Sequence, residues 1–365
     1  MTTKDKVVGL LKNAEQTESG FISGEEMSRE LGVTRMSVNK AIKALRSEGY
    51  EIESFNNRGY RIVASPDRLD TAELSCRLPA ERMKRVLCYD SISSTNVRLS
   101  ELAYEGAEDS FTVIANEQTS GRGRRGRSFA SPKDKGIYLS YLMRREEAPA
   151  DVTGITAWTA VAVLRAIEKV LGEDPDTDLH IESEGAGYSC HEPSTREPQK
   201  NILGIKWVND LVMNKKKLCG ILTEMSVENE TGRIQSLIIG IGVNVNEELS
   251  DFDEGIRDIA TSLYLETGKR ITRAELASEM IRQLDRMNRD FPGKQPEYLK
   301  EYQERSLILG KTISVFDARA MDTGGKKSAP IKAEALSINE DFSLRIRDEA
   351  GNILNVNSGE VSIRW

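Results

Sequence analysis

The sequence predicts an α+β protein in three parts: an N-terminal winged helix-turn-helix, a central mixed α/β domain and a small C-terminal β-barrel. Three observations predict this. The first 64 residues hold three helical stretches followed by two short strands. From about residue 80 to 305, strands and helices occur in mixed order, which suits an α+β sheet better than a doubly wound one. After Leu309 the chain is a succession of short β-type runs separated by turns. At 365 residues it is too long for one ordinary domain. The expected boundaries are 1–65, 66–307 and 308–365.

Composition excludes several classes. With 38% hydrophobic and 30% charged residues the chain can bury a substantial core. A net charge of −7 argues against a protein that coats nucleic acid, so any DNA contact must be local. Met1 to Lys6 contain no apolar run, so no signal peptide is expected, and no stretch is long and apolar enough to span a membrane. Cys76, Cys88, Cys190 and Cys219 lie far apart without a CxxC, which suggests neither a disulfide framework nor a zinc ribbon. The expectation is a cytoplasmic chain without a membrane partner.

The N-terminal elements follow from spacing and caps. Val7, Val8, Leu10 and Leu11 mark a first helix. Ser23 is the expected N-cap of a second, with Glu26 completing a capping box, and Leu31-Gly32 ends it. A third helix opens after Thr34 and runs through Arg46, with Val38, Ile42 and Leu45 as its apolar face. Strands at 51–53 and 60–63, joined by Asn56-Asn57-Arg58-Gly59, form the wing. Thr34, Arg35, Ser37, Asn39, Lys40 and Lys43, with Arg58 of the wing, are residue types that contact base edges and phosphates. A solvated helix is the bland alternative. DNA binding is favoured because helix-turn-helix folds mostly bind DNA. This segment has ten basic and nine acidic side chains, so one copy should bind weakly and a dimer should span two half-sites.

Ser65-Pro66-Asp67 reads as the linker. Strands are expected at 111–115, 136–142, 202–207, 218–225 and 236–245, and helices at 157–171 and 274–290. Residues 173–200 break the pattern, with eight acidic and two basic residues and three prolines. They read as a mobile acidic insertion. His180, Cys190 and His191 fall there at no standard metal spacing. Strands at 312–316, 331–336, 344–346 and 361–364 suit the barrel.

The most informative stretch is Gly121-Arg122-Gly123-Arg124-Arg125-Gly126-Arg127. Glycine lets backbone approach a ligand closely, and arginine brings a planar donor fork for carboxylate or phosphate. Alone, the pattern fits a closing anion loop and a non-specific nucleic-acid loop about equally.

The neighbours weigh in. Ser94-Thr95-Asn96, Gln118, Phe129, Lys206 to Asp210, Lys217 to Leu222 and Gly240 to Asn244 follow one another in an order that resembles the bifunctional biotin–protein ligase and biotin-operon repressor family. The resemblance covers nearly the whole chain. It implies a central catalytic domain of the biotin/lipoate ligase type and an SH3-like barrel after it. It implies an enzyme that makes biotinyl-5′-AMP from biotin and ATP, releasing pyrophosphate, and passes biotin to a lysine of a biotin carboxyl carrier protein domain. It also implies a homodimer, formed on adenylate binding, that represses at operator DNA.

By the same resemblance, Ser94, Thr95, Asn96, Gln118 and Gly123 contact biotin, with Arg122, Arg124 and Lys217 as the catalytic cations that also touch it. Gly121, Phe129, Lys206, Asn209, Asn244 and Arg364 meet the nucleotide, and Asp210 meets nucleotide and Mg²⁺. Anion–anion repulsion between carboxylate and α-phosphate is the obstacle such cations lower. Plainer roles stand beside these. Ser94 or Thr95 would also serve as a helix cap, Gln118 as a strand-end residue, Trp207 as core, and Lys215 to Lys217 as a solvated turn. Val208 stands where the family usually has proline and Phe129 where tryptophan is common, which touches pocket shape rather than reaction. Two other readings compete: a biotin sensor without ligase activity, and a lipoate ligase-like enzyme. The first need not keep phosphate-handling groups; the second lacks the arginine-glycine loop.

Overall fold

The computed structural model describes residues 2–363 apart from 16, 18, 146–151, 153, 173–178, 181–200, 229, 231, 318–329 and 358. The N-terminal unit is α1 (Thr3–Glu15), α2 (Gly24–Leu31), α3 (Arg35–Ser47), β1 (Glu51–Phe55) and β2 (Gly59–Ala64). Its punctuation is local chemistry. Ser23 accepts from Glu26 N, Gly32 takes φ 65° to stop α2, and Thr34 accepts from Ser37 N to start α3. Val38, Ala41, Ile42 and Leu45 face inward and form a core with Val7, Val8 and Leu11.

Asp67 leads into α4 (Thr71–Ser75) and α5 (Ala80–Met83). This link is strapped down. Fully buried Arg273 donates to Asp67 Oδ2 at 2.9 Å and to the Asp67 carbonyl at 2.6 Å, while Asn116 brackets the Leu69 backbone. Buried Glu73 of α4 takes Lys12 and the Tyr50 hydroxyl from the winged unit. The winged unit therefore docks on Glu73, which Arg77 also meets at 3.0 Å, and on the apolar Ala72 beside it.

The central elements are β3 (Val86–Tyr89), α6 (Thr95–Tyr104), β4 (Thr112–Ala115), β5 (Ile137–Met143), α7 (Ile155–Gly172), β6 (Leu179–His180), β7 (Asn201–Lys206), β8 (Asp210–Met213), β9 (Lys216–Val227) and β10 (Ile234–Val243). Next come α8 (Leu263–Thr267), α9 (Arg273–Asp290) and α10 (Gln295–Glu304). The sheet order is β3-β4-β5-β10-β9-β8-β7-β6, mostly antiparallel, with β3–β4 and β6–β7 parallel. The long apolar helix α7 lies against α9 and the sheet, and Trp158 stacks on Tyr298 at 3.9 Å to seal α10 on top.

Strands β11 (Thr312–Asp317), β12 (Ile331–Ile338), β13 (Leu344–Asp348), β14 (Ile353–Val356) and β15 (Gly359–Ile363) make the antiparallel SH3-like barrel, ordered β14-β13-β12-β11-β15. Alternate residues such as Ile313 and Val315 point into it. Trp207 is core: it is buried, and its indole N–H donates to the Phe342 carbonyl at 2.9 Å, joining barrel to sheet. The expected insertion 173–200, with Cys190 and His191, lies outside the described residues apart from the backbone of β6. No helix is long and apolar enough to cross a membrane among the described residues.

Candidate functional site

The start of α6, the arginine-glycine loop and the middle of β9 and β10 surround one cavity with about 480 Å³ of empty space. Its floor is glycine for a steric reason. In the β9–β10 register Gly242 faces Gly220 and Gly240 faces Leu222. A Cβ on Gly240 would stand 2.2 Å from Asn96 Oδ1, and one on Gly242 would stand 2.4 Å from the Phe129 ring. Bare backbone lets both side chains lie flat on the strands.

One end of the cavity is neutral and polar. Thr95 donates its backbone N–H at 2.9 Å and its hydroxyl at 3.0 Å to Gln118 Oε1, and Gln118 Nε2 donates to Ser131 Oγ at 3.0 Å. Ser94 lines the cavity and caps nothing with its side chain. Asn96 donates to Glu224 Oε2 at 2.7 Å and accepts from Ser140 Oγ at 2.5 Å. This network fixes donors and acceptors in a place largely closed to water.

The other end is charged. Arg124 donates to Asn209 Oδ1 at 2.7 Å, and Asn209 in turn donates to the Ile221 carbonyl. Lys217 Nζ lies 2.7 Å from Asp210 Oδ1. Its backbone is pinned by Ile259 and Thr261, so the ammonium stem starts from a fixed place. A second space of about 530 Å³ adjoins, shares Arg124, Phe129, Asn209 and Lys217, and adds Asp210, Arg127 and Gly359 of the barrel. Burial pushes the neighbouring Cys219 thiol up, which keeps it protonated and inert.

The arginine-glycine loop closes on itself. Gly123 N donates to the Arg127 carbonyl at 2.7 Å, Phe129 N donates to the Gly121 carbonyl at 2.9 Å, and Arg122 bridges to Ser128. Arg125 at φ 58° and Gly126 at φ 72° make the turn. A Cβ at Gly121 would stand 2.3 Å from the Phe129 carbonyl, so glycine is required where the loop pinches. Arg125 also reaches the Phe316 carbonyl of the barrel, at 3.3 Å.

Most of the sequence-predicted residues meet here: Ser94, Thr95, Asn96 and Gln118 at the polar end, and Arg122, Gly123, Arg124, Phe129, Asn209 and Lys217 across the rest. Gly121 is buried at the pinch of the loop, where a Cβ would stand 2.7 Å from Ser131 Oγ and 3.3 Å from Gln118 Nε2. Two are placed elsewhere. Lys206 closes β7 opposite Asp210 in the hairpin, off the cavity lining. Asn244 is buried, and its amide donates to the Thr261 carbonyl at 2.8 Å, so it braces the loop behind Lys217. Arg364 lies outside the described residues. Sequence reasoning missed Ser131, Ser140 and Glu224, the partners that hold Gln118 and Asn96; no local pattern marks them.

On the winged unit, Asn39 accepts from the Tyr60 hydroxyl at 2.6 Å, and Arg35 pairs with Glu25. Lys40 and Lys43 are exposed, whereas Ser37 is half-buried against Thr34. Arg58 and Arg61 lie over the Phe21 ring at 5.9 and 5.1 Å.

Residues 88–244 match the model of the biotin/lipoate A/B protein ligase family, and residues 10–61 match a helix-turn-helix domain. The chain is 36% identical over 283 residues to the bifunctional ligase/repressor BirA of Bacillus spizizenii, covering 77% of this chain and 78% of that one. It is 28% identical to the Escherichia coli protein of the same name, over 76% and 74% of the two chains. Among solved structures it is similar to the biotin protein ligase of Aquifex aeolicus in complex with biotin and ATP. That match has TM-score 0.58 and 25% identity and covers 76% of this chain and 98% of that one.

Proposed function

The chain belongs to the family of bifunctional biotin ligase/repressors, and we propose that the cavity on β9 and β10 is where it ligates. Biotin and ATP give biotinyl-5′-AMP and pyrophosphate; a carrier-protein lysine then takes the biotinyl group and AMP leaves. The helix-turn-helix domain represses.

The observation that carries the site assignment is the cavity's polarity. The ureido ring of biotin is neutral and asks for fixed donors and acceptors; Ser94, Thr95 and Gln118 supply them at one end. The first step drives a carboxylate at a phosphate. Arg124 and Lys217 converge where the two spaces meet, each held by a neighbour, and Arg122 stands at the loop beside them. Preorganised charge of this kind stabilises the transition state without reorganising. Phe129, lying over Gly242, offers a face for adenine.

Asp210 is the residue to hold Mg²⁺. Among the described residues no group of three His, Cys, Asp or Glu could hold a metal, and one carboxylate suits an ion that arrives on ATP phosphates. Such an ion would offset phosphate charge. Two copies of the nearly neutral winged unit bind DNA better than one, so a ligand-dependent homodimer is the repressing form. ATP, a carboxylase carrier domain and operator DNA together make the cytoplasm the working compartment.

The test is incubation with biotin, labelled ATP and a biotin carboxyl carrier protein domain. Labelled adenylate and biotinylated carrier are expected from the wild type and neither from Lys217→Ala. Wild-type rates in Lys217→Ala would reject the site assignment.

A further inference from the structure

Met36 is the most exposed large apolar side chain among the described residues of the winged unit, 80% exposed, at the second position of α3. It is not displaced core. The buried face of that helix is Val38, Ala41, Ile42 and Leu45. At 3.6 residues per turn Met36 lies in line with Lys40 and Lys43, with Arg35 and Asn39 beside it, all exposed. An apolar group set in a cationic stripe gains nothing from water, and the stripe's charge suits a polyanion.

DNA offers such a group one matching surface. In the major groove the apolar feature among base edges is the C5-methyl of thymine. The first turn of the second helix of a helix-turn-helix is the part that reaches base edges. That turn is held in shape, because Thr34 caps it through Ser37 N. Tyr60 of the wing fixes Asn39 one turn on by donating to its carboxamide oxygen, which leaves the amide hydrogens for a base or phosphate acceptor. The unbranched thioether of methionine adapts to a small apolar target.

We propose that Met36 is a specificity-determining residue of the repressor that packs on the C5-methyl of one thymine in each operator half-site. The inference rests on the repressor reading above and adds the base it selects.

The experiment uses the full chain with biotin and ATP present. The probe is the promoter duplex of a biotin-synthesis gene, with each thymine replaced singly by deoxyuridine, which removes only the methyl. One replacement per half-site weakens wild-type binding about fourfold, the factor that one buried carbon group is worth. Met36→Ala binds the unmodified duplex correspondingly more weakly and is indifferent to that replacement, while carrier biotinylation is unchanged. A wild type insensitive at every thymine, or a penalty of the same size in Met36→Ala, overturns the proposal. If neither protein prefers the promoter duplex to a scrambled one, the repressor reading falls and this inference with it.

Discussion

The ligand cavity and the DNA face handle polar groups in opposite ways. In the cavity four functional side chains are held by others: Gln118 by Thr95 and Ser131, Asn96 by Glu224 and Ser140, Arg124 by Asn209, Lys217 by Asp210. On α3 the Arg35–Glu25 pair is exposed on both sides, and Lys40 and Lys43 stand in water. Groups held in fixed positions where charge develops act strongly one by one. Exposed groups are weak singly and act by number. Mutational effects should therefore be large and local in the cavity, and small on the DNA face, additive there except between directly bonded pairs such as Tyr60 and Asn39.

The largest expected effect tests the first half of that contrast. Lys217→Ala removes one preorganised charge where anions meet. Such a loss costs about 2.7–4 kcal/mol of transition-state stabilisation, or roughly two to three orders of magnitude in rate. Pyrophosphate release measured with biotin and ATP should fall by that factor with the fold intact. A loss below tenfold would mean that the cavity's cations act as diffusely as surface ones.

The ligand domain also contains an exception to its own rule. Glu247, in the loop beyond β10, is 1% exposed, and burial holds its carboxyl up to about 7 in spite of the Val245 and Glu247 amides and Arg273 nearby. Its folded value is raised above the ordinary 4.5. The folded state therefore binds more protons than the unfolded one between those values, and stability falls as pH rises through that window. The loss is of order 3 kcal/mol by pH 8. Chemical denaturation at pH 5 and pH 8 should show it in the wild type and not in Glu247→Gln. Equal pH dependence in both proteins would place the proton elsewhere.

These regions were unequally legible in the sequence. Ser23, Gly32 and Thr34 act on backbone within three residues, so the winged helices could be read from local chemistry. The strands with a one-sided or continuous apolar pattern, β5, β9 and β10, were legible too. Four-residue β3 was not: of its residues only Val86 is buried, whereas the equally short β4 is buried throughout and reads as a continuous apolar run. Asp67 meets Arg273 206 positions away and Asn96 meets Glu224 128 positions away, and one sequence holds no trace of such pairings. Asn244 shows what a motif leaves open. It follows a glycine motif that does form the floor, yet it sits past the end of β10, where its amide turns to the 261 backbone.

On the DNA face the effects should be smaller. Asn39→Ala and Arg35→Ala should each weaken operator binding by about 1–3 kcal/mol per contacted base and leave carrier biotinylation unchanged. Arg35 should fall at the high end, because its partner Glu25 is released at the same time and repels phosphate. A gel-shift titration with biotin and ATP present separates the two. If Arg35→Ala abolished binding outright, the face would be as strongly preorganised as the cavity and the contrast would fail.

The smallest effect sharpens it. Tyr60→Phe removes only the hydroxyl that donates to Asn39 and leaves the ring in place. The bond is exposed, so its net worth is about 0.5–1.5 kcal/mol, and Asn39 can turn to water when it is lost. Operator affinity should therefore drop by no more than about tenfold. The loss should vanish in an Asn39→Ala background, since Tyr60 acts through Asn39. Ligation should be unchanged. Additive losses in the double variant would show instead that Tyr60 meets DNA itself, which would make the wing a second reading surface rather than a brace for α3.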